Sequence, residues 1–358
     1  MEDGRSLVAE TCERVFRDCA EPQALALDPE DGTWREALWS AFEETGLATA
    51  WVPEEAGGSG ASVREGFEVL HAAGRFAAAT PLADTLVAGL LLARGGLRVP
   101  AGKLAAVPVR RGDAIELRAD GTLAGTAHRV PFAREAAHLA VLARAAGEGG
   151  GETRRVALVE RAKCDIAGGS SLAGDPLDRV DFGGVRPVAV GDRPAAPDEA
   201  RMFGAASRAA LIAGALQAIL DLSVDYARER VAFERPIAKF QAVQQELARL
   251  AGEVAAANAA ANSAAWALEN HDPESDAVLV EVASAKVRAG EAAHAGALIA
   301  HQVHGAIGYS REHVLHRYTH RLWAWRDEYG DESEWALCLG EHFVRLGADG
   351  MWPALTAV

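Results

Sequence analysis

The sequence predicts a mainly helical α+β protein in three parts: an N-terminal helical domain, a middle β-barrel or sandwich, and a C-terminal four-helix bundle. Three observations support this fold class. Apolar residues recur every three or four positions over the first hundred residues. Short β-type runs between Gly, Asp and Pro turns come next. Long alanine-rich segments occupy the remainder. We place the domain boundaries at 1–97, 98–197 and 198–358.

The elements follow in this order along the chain. Three amphipathic segments predict the N-terminal helices: SLVAETCERVFRDCAE, TWREALWSAFEETG and SVREGFEVLHAAGRFAA. Five runs predict a small sheet structure of five to seven strands: KLAAVPVR, AIELRAD, AHLAVLAR, RRVALVER and DRVDFGGV. Three long helices and a fourth from ESEWALCLGEHFVRLG complete the bundle.

Composition excludes several classes of partner. The chain has 358 residues and a formal net charge of −15, with no cluster of basic residues. We therefore expect neither a nucleic-acid partner nor binding to an anionic membrane surface. The apolar run LADTLVAGLLLARGG is too short to span a bilayer and contains Asp84. Four scattered cysteines form no CxxC pair, which predicts a reducing, cytoplasmic location.

Two segments carry residues suited to binding an anion. In RERVAFERPIAKFQAVQ, Arg230 ends a helix and can direct its guanidinium at a pyrophosphate or carboxylate. In QVHGAIGY, Gly305 and Gly308 allow backbone N–H groups to approach an anion closely. Each segment also has a purely structural interpretation, as a helix-end charge or as a glycine C-cap.

The histidines do not predict a metal site. His301 and His304, and likewise His316 and His320, share helix faces. No acidic residue or cysteine stands at a matching second spacing, and neighbouring arginines would repel a cation. We predict that the chain binds no metal.

Three motifs together resemble those of the acyl-CoA dehydrogenase family. WVPEEAGGSGAS is similar to its "vPEe-GG-G" turn, RERVAFERPIAKFQAVQ to its "R-x-x-F-G-x-P-I-x-x-F-Q", and QVHGAIGYSRE to its "Q-x-x-G-G-x-G-Y-x-x-E". The resemblance covers nearly the whole chain. It implies the same three-part fold, an FAD cofactor and α,β-dehydrogenation of an acyl-CoA thioester, with electrons passed to an electron-transfer flavoprotein. By resemblance, six residues would hold FAD across a subunit interface: Arg230, Phe233, Gln241, Gln302, Gly305 and Gly308.

The sequence departs from the family pattern at three places. Glu234 and Ala306 stand where the family has glycine. The middle segment lacks the loop and strand end that cradle the flavin ring. The catalytic carboxylate is missing from both of its family positions, which fall on Tyr329 and Ser207. The next residue, Arg208, does match the family pattern, and the resemblance implies that it binds substrate.

The acidic run after LWAWR leaves two interpretations open. We expect Asp327, Glu328, Asp331 and Glu332 to form a solvated loop that offsets nearby arginines. Alternatively, Asp327 or Glu328 serves as the base that removes the α-proton, a task that needs a carboxylate in a dry pocket.

The retained and missing motifs together predict a function. The chain resembles the subunit that lacks the catalytic glutamate in two-subunit, steroid-type bacterial acyl-CoA dehydrogenases, where it completes the FAD site of its partner. An α2β2 assembly would then have half as many active sites as chains. The alternatives are a homo-oligomeric dehydrogenase with a relocated base, a non-catalytic family member and, less favoured, a flavin monooxygenase of the same fold.

Overall fold

A computed structural model describes residues 6–27, 33–147 and 152–356. Five helices come first: α1 (Leu7–Cys19), α2 (Pro22–Leu27), α3 (Thr33–Glu44), α4 (Val63–Phe76) and α5 (Leu82–Arg94). The middle strands are β1 (Leu104–Val107), β2 (Glu116–Leu117), β3 (Leu123–Ala124), β4 (Thr126–Pro131), β5 (His138–Ala146), β6 (Glu152–Glu160), β7 (Asp165–Ala167), β8 (Leu177–Asp181) and β9 (Ala189–Pro194). The last part contains α6 (Glu199–Glu229), β10 (Val231–Ala232), β11 (Arg235–Pro236), α7 (Gln241–Asn270), α8 (Asp276–His304), α9 (Leu315–Asp327) and α10 (Glu332–Thr356).

The predicted fold class is confirmed. None of the described helices or strands crosses the boundaries that we propose at residues 97 and 197. The predicted fourth helix of the bundle lies in α10, whereas α9 was not predicted. The predicted number of strands in the middle domain was too low. Strands β3 and β7 have only two and three residues, too few for a period-two pattern to show.

The N-terminal domain packs around a cluster of aromatic rings. Phe16 of α1 lies 5.2 Å from Phe42 of α3 and 5.2 Å from Phe76 of α4, measured between ring centroids. Helix α4 begins with a capping box, in which Ser62 and Glu65 satisfy each other's backbone N–H groups. These contacts hold α4 in place as the helix that meets the bundle.

The middle domain consists of two sheets. Five strands of the larger sheet run in the order β3-β2-β5-β6-β9, and β1 pairs in parallel with β5. Strands β5 and β6 form a nine-residue antiparallel hairpin that is the longest pairing of the sheet. The smaller sheet has the order β4-β8-β7. Buried aliphatic residues of β1, β5 and β6 face the core that these sheets share with α5.

Helix α6 is the centre of the bundle and packs against α4, α7, α8 and α9. By length and composition alone it could cross a membrane, but 89% of its most apolar window is buried inside the protein. Its apolar character is thus explained by contact with the surrounding helices.

The N-terminal domain and the bundle touch at the level of the backbone. A Cβ atom on Gly74 of α4 would lie 2.1 Å from the carbonyl oxygen of Leu211 in α6. A Cβ atom on Gly214 of α6 would lie 2.0 Å from the carbonyl oxygen of His71 in α4. Both distances are shorter than any real contact, so only glycine permits this helix crossing.

We expect Gly214→Ala to destabilise the protein by about 3 kcal/mol, because the added methyl group must push two backbones apart. Chemical unfolding of the purified chain would measure this loss. The matched control is Gly252→Ala in α7, where nothing lies within 4 Å of the added atom. That change should stabilise the helix by about 0.5–1 kcal/mol. Equal effects of the two substitutions would contradict the close crossing.

Candidate functional site

A buried ionic cluster joins the N-terminal domain to the bundle. The Arg208 guanidinium in α6 donates from Nη2 to Oδ1 of Asp84 in α5, at 2.7 Å. It also donates from Nε to Oε2 of Glu328, which follows α9, at 2.6 Å. The three residues are 2%, 1% and 6% exposed, respectively. One guanidinium therefore lies between two carboxylates in the interior.

Burial sets the protonation of this cluster. It raises the pKa of the Asp84 and Glu328 carboxyls, although the charge of Arg208 pulls both back down. Burial alone would lower the pKa of the Arg208 guanidinium, but the two carboxylates raise it above its ordinary value. Arg208 therefore stays charged. No described group accepts a hydrogen bond from its buried Nη1.

The Tyr329 side chain covers the cluster. Its hydroxyl lies 3.2 Å from Oδ1 of Asp84, and its ring lies 5.0 Å from the Arg208 guanidinium. The ring also packs so closely on α6 that a Cβ atom on Gly204 would lie 2.1 Å from it. Tyr329 has a φ of +57°, which costs a non-glycine residue about 1–2 kcal/mol. Contacts with neighbouring residues must offset this cost.

Lys286 of α8 and Trp335 of α10 hold the Tyr329 segment. The Lys286 ammonium donates to the carbonyl oxygens of Arg326, at 2.5 Å, and Gly330, at 2.7 Å. The Trp335 indole donates to the carbonyl oxygen of Tyr329 at 2.9 Å. Burial lowers the pKa of Lys286 to about 8, despite the acidic residues nearby. The chain after α9 is therefore tied to two helices.

The remaining space beside the cluster is about 20 Å³, enough for about one water molecule. Leu82, Asp84, Phe132, Arg208 and Glu328 are among its lining residues. An organic ligand needs hundreds of cubic ångströms. Arg208, expected to bind substrate, instead contacts two carboxylates at the edge of a closed cleft.

The prediction of a solvated acidic loop is wrong for Glu328. Asp327 and Asp331 are exposed as expected, but Glu328 is buried on Arg208. Glu332 is half-buried and pairs with Arg326. The partner of Glu328 lies 120 residues earlier in the chain, so no local pattern indicates this burial.

The six residues expected to hold a cofactor lie at the other end of the bundle. Arg230 caps the last turn of α6, Gln241 begins α7, and Gln302 lies in the last turn of α8; all three are exposed. Tyr226 of α6 stacks on His304 of α8 with ring centroids 4.6 Å apart. The structure thus brings the two anion-binding segments together.

The Gly305 turn is open to a ligand. Gly305 has a φ of +62°, and no atom lies within 4 Å of the position of an added Cβ. Gly308 is instead buried, and a Cβ there would lie 3.0 Å from the side chains of His304 and Leu315. Gly308 therefore shapes the turn from inside, whereas Gly305 presents backbone to solvent.

A two-residue hairpin follows Arg230. Strand β10 pairs with β11, so that Phe233 and Glu234 form the turn with φ angles of +52° and +63°. Such turns favour Asn-Gly, because both central residues have left-handed backbone. Phe233 is 88% exposed, and its ring meets that of Phe240 edge to face at 6.1 Å.

His301 and His304 pack as neutral rings, because burial lowers the pKa of both. His301 stacks on Tyr309 with centroids 4.3 Å apart, and the Nδ1–H group of His304 donates to the carbonyl oxygen of Ala300 at 2.8 Å. Burial lowers the pKa of His304 to about 4. In the described part of the chain, no group of three or more His, Cys, Asp or Glu side chains is arranged to hold a metal ion.

Comparison with known proteins identifies the class. Residues 2–96 match the family model of the acyl-CoA dehydrogenase N-terminal domain, and residues 199–325 match that of the C-terminal domain. The chain belongs to the acyl-CoA dehydrogenase family, whose members are oxidoreductases acting on CH–CH groups.

Full-length relatives agree with this assignment. Acyl-CoA dehydrogenase IpdE2 of Mycolicibacterium smegmatis is 29% identical over 331 residues, which cover 90% of this chain and 93% of the relative. Acyl-CoA dehydrogenase FadE27 of Mycobacterium tuberculosis is 29% identical over 326 residues, which cover 84% of this chain and 86% of the relative.

Solved structures share the fold. The ChsE4-ChsE5 complex from Mycobacterium tuberculosis has a chain with a TM-score of 0.80 and 24% identity, covering 97% of this chain and 100% of that one. A variant of the steroid ACAD Tcur3481-Tcur3483 has a TM-score of 0.78 and 25% identity, covering 93% of this chain and 96% of that one.

The exposed end of the bundle fits one half of FAD. Arg230, Gln241 and Gln302 offer donors for phosphate and nucleotide groups, and the Gly305 turn leaves open space beside its backbone, although the Gly305 N–H itself donates to the carbonyl oxygen of His301. Arg230 makes no ion pair with any described residue, so its guanidinium is available. The space of about 20 Å³ beside Arg208 has no room for the flavin ring. The residues therefore fit the diphosphate half of FAD and not its ring.

Three residues in and around the Arg208 cluster were missed from the sequence: Asp84, which binds Arg208, and Lys286 and Trp335, which hold the Tyr329 segment. Asp84 did carry a signal, since it is the single acidic residue of helix α5 and is followed by a long apolar run. A charge in such a position needs a buried partner. Lys286 and Trp335 are ordinary residues of amphipathic helices, and nothing in their local sequence marks them.

We expect Arg208→Met to destabilise the protein by about 3–5 kcal/mol at neutral pH, because two carboxylates lose their shared cation. Without Arg208, the pKa of Asp84 and Glu328 rises further above the unfolded values. The folded variant then binds protons that the unfolded chain has released, so its stability falls as pH rises. Urea unfolding at pH 5 and pH 8 should show a larger loss at pH 8.

The control combines Arg208→Met with Asp84→Asn and Glu328→Gln, which removes all three charges. This triple variant should regain much of the lost stability. Its stability should also differ less between pH 5 and pH 8 than that of the single variant. If the single variant were equally stable at both pH values, the buried ionic cluster would not describe the protein.

We expect Glu234→Gly to stabilise the chain by about 1 kcal/mol, because glycine adopts a positive φ without steric cost. Thermal unfolding would measure the gain. The control is Glu274→Gly in the exposed α7–α8 loop, where φ is not positive and glycine should give no stabilisation. Equal shifts for both variants would argue against strain at Glu234.

Proposed function

We propose that this chain is the FAD-site-completing subunit of a hetero-oligomeric acyl-CoA dehydrogenase that oxidises an acyl-CoA thioester to the α,β-unsaturated product. One observation carries the proposal: the Arg208 cluster leaves a space for about one water molecule beside it, while the end of the bundle that carries Arg230, Gln241 and Gln302 is exposed. When bound, FAD supplies the hydride acceptor for this reaction.

The partner subunit would supply the base. Removal of an α-proton needs a carboxylate that faces the substrate. The Glu328 carboxylate accepts a hydrogen bond from Arg208, and the space beside it holds about one water molecule. Asp327 is exposed at the end of α9, away from a dry pocket. Neither residue is placed to serve as the base in this chain.

Residues of this chain would bind the partner's cofactor across the interface between the two subunits. Arg230 would bind the pyrophosphate, and the amides of Gln241 and Gln302 would bind the nucleotide or orient nearby backbone. The Gly305 turn would lie against the phosphates, while Phe233 would pack against an apolar face of the cofactor. Gly308 acts from inside by shaping the turn.

The relatives support the choice of assembly and substrate. ChsE4-ChsE5 is a complex of two named components, and Tcur3481-Tcur3483 is called a steroid ACAD. We extend both properties to this chain as a proposal: an α2β2 heterotetramer in the cytoplasm that acts on steroid-type or other bulky acyl-CoA thioesters. An electron-transfer flavoprotein would accept the electrons.

Visible absorption of the purified chain, alone and after co-expression with an acyl-CoA dehydrogenase encoded beside it, tests the proposal. We expect flavin only in the co-purified complex, with one FAD per two chains. Acyl-CoA should bleach that flavin. Bleachable flavin in the chain alone would contradict the proposal and favour a homo-oligomer with Asp327 or Glu328 as base. No flavin in either sample would favour a non-catalytic family member.

Within the flavin-containing complex, Arg230→Gln should weaken FAD binding by about 10- to 100-fold, because a charge-assisted hydrogen bond to phosphate is lost. Fluorescence of released flavin on dilution would measure the affinity. The matched control is Arg228→Gln, two residues earlier, where the exposed guanidinium pairs with Asp225. It should leave FAD binding within about twofold. Equal losses would show that Arg230 has no particular role.

A further inference from the structure

The hairpin tip, which we define as residues 231–236, keeps a backbone conformation that its sequence disfavours. Phe233 and Glu234 both have positive φ, although neither is glycine, asparagine or aspartate. Strain of this kind persists where the surrounding structure and function require it. At Glu234 the family pattern has glycine, which would remove the strain. A glutamate there therefore calls for a physical reason.

The Glu234 carboxylate has no cation within the described chain. It is exposed and makes no ion pair there, although Arg235 follows directly. The Arg235 guanidinium instead lies 4.2 Å over the Phe240 ring. Phe240 in turn braces the exposed Phe233 ring. The hairpin tip thus presents an aromatic ring and an unpaired carboxylate on one turn.

Charge determines what this carboxylate would meet. It lies four residues from Arg230, which is the residue expected to bind a doubly charged pyrophosphate. Beside phosphates, an unpaired carboxylate is repulsive unless a second cation joins it. The one guanidinium of the hairpin tip, that of Arg235, lies over the Phe240 ring and forms no ion pair with Glu234 in the described chain. A second copy is a poor source, because two chains of net charge −15 repel each other.

We propose that Glu234 selects the partner subunit by pairing with a lysine or arginine that a second, different chain of acyl-CoA dehydrogenase fold places at the rim of the shared cofactor site. This inference rests on the proposed function. The β10–β11 pairing fixes the backbone of Glu234 before association, which reduces the entropy lost on binding. The unpaired carboxylate then favours a basic rim and rejects an acidic or neutral one.

The test uses the complex with the co-purifying chain and measures its dissociation constant by isothermal titration at low and high salt. We expect Glu234→Gln and Glu234→Gly each to weaken association by about tenfold at low salt and to reduce its salt dependence. Glu234→Lys should weaken it further. Glu234→Asp keeps the charge and tolerates a positive φ, so it should stay within about threefold of the wild type.

The matched control is Glu274→Gln, an exposed glutamate at the opposite end of the bundle, which should leave association unchanged. Unchanged or tighter association of the Gln and Gly variants would overturn the proposal. The strained backbone at Glu234 would then have no role in association. A complex between copies of this chain that weakens with Glu234→Gln would overturn the choice of a different partner.

The two proposals fail in different ways. If flavin binds to the chain alone, or no second chain co-purifies, the proposed function fails and the inference on Glu234 falls with it. If a flavin-containing complex forms but its dissociation constant does not depend on the charge at residue 234, only the inference on Glu234 fails.

Discussion

The hydrogen bonds from Arg208 to Asp84 and Glu328 join three segments that are more than a hundred residues apart. Because each charged group is buried, losing either contact would leave an uncompensated charge in the interior. Helices α5 and α6 and the chain after α9 must therefore keep one arrangement. Tyr329 depends on it too, since its hydroxyl contacts Asp84 and its ring covers Arg208.

The same contacts that stabilise the interior leave a space of only about 20 Å³ beside Arg208, the residue that we expected to bind substrate. A glycine at position 204 admits the Tyr329 ring against α6, and Lys286 secures the backbone on either side of it. A site of this kind is closed by packed side chains and not by a movable loop. Opening it would require breaking buried ion pairs, which makes a resting, substrate-ready state unfavourable.

The long helices separate the closed cleft from the exposed end. Arg208 and Arg230 both belong to the α6 region, about 33 Å apart at 1.5 Å per residue. Lys286 and Gln302 lie on α8, about 24 Å apart by the same measure. One pair of long helices therefore supports a closed core at one level and, at another, the exposed surface that we propose binds the cofactor. This separation is what the proposed role requires, because the closed core and the exposed surface belong to different ends of the same helices.

Periodicity and turn residues determined the three-part fold, because helical and strand patterns are local and extend over many residues. Local motifs likewise indicated the positions of Arg230, Gln302 and Gly305 near helix ends. Only the tertiary structure determined that Glu328 is buried and paired with Arg208. Its acidic neighbours suggested solvent, yet its partner Arg208 lies 120 residues away and its neighbour Tyr329 fills the space beside Gly204. Burial and ion pairing depend on which distant segments meet, and a local pattern carries no information on that.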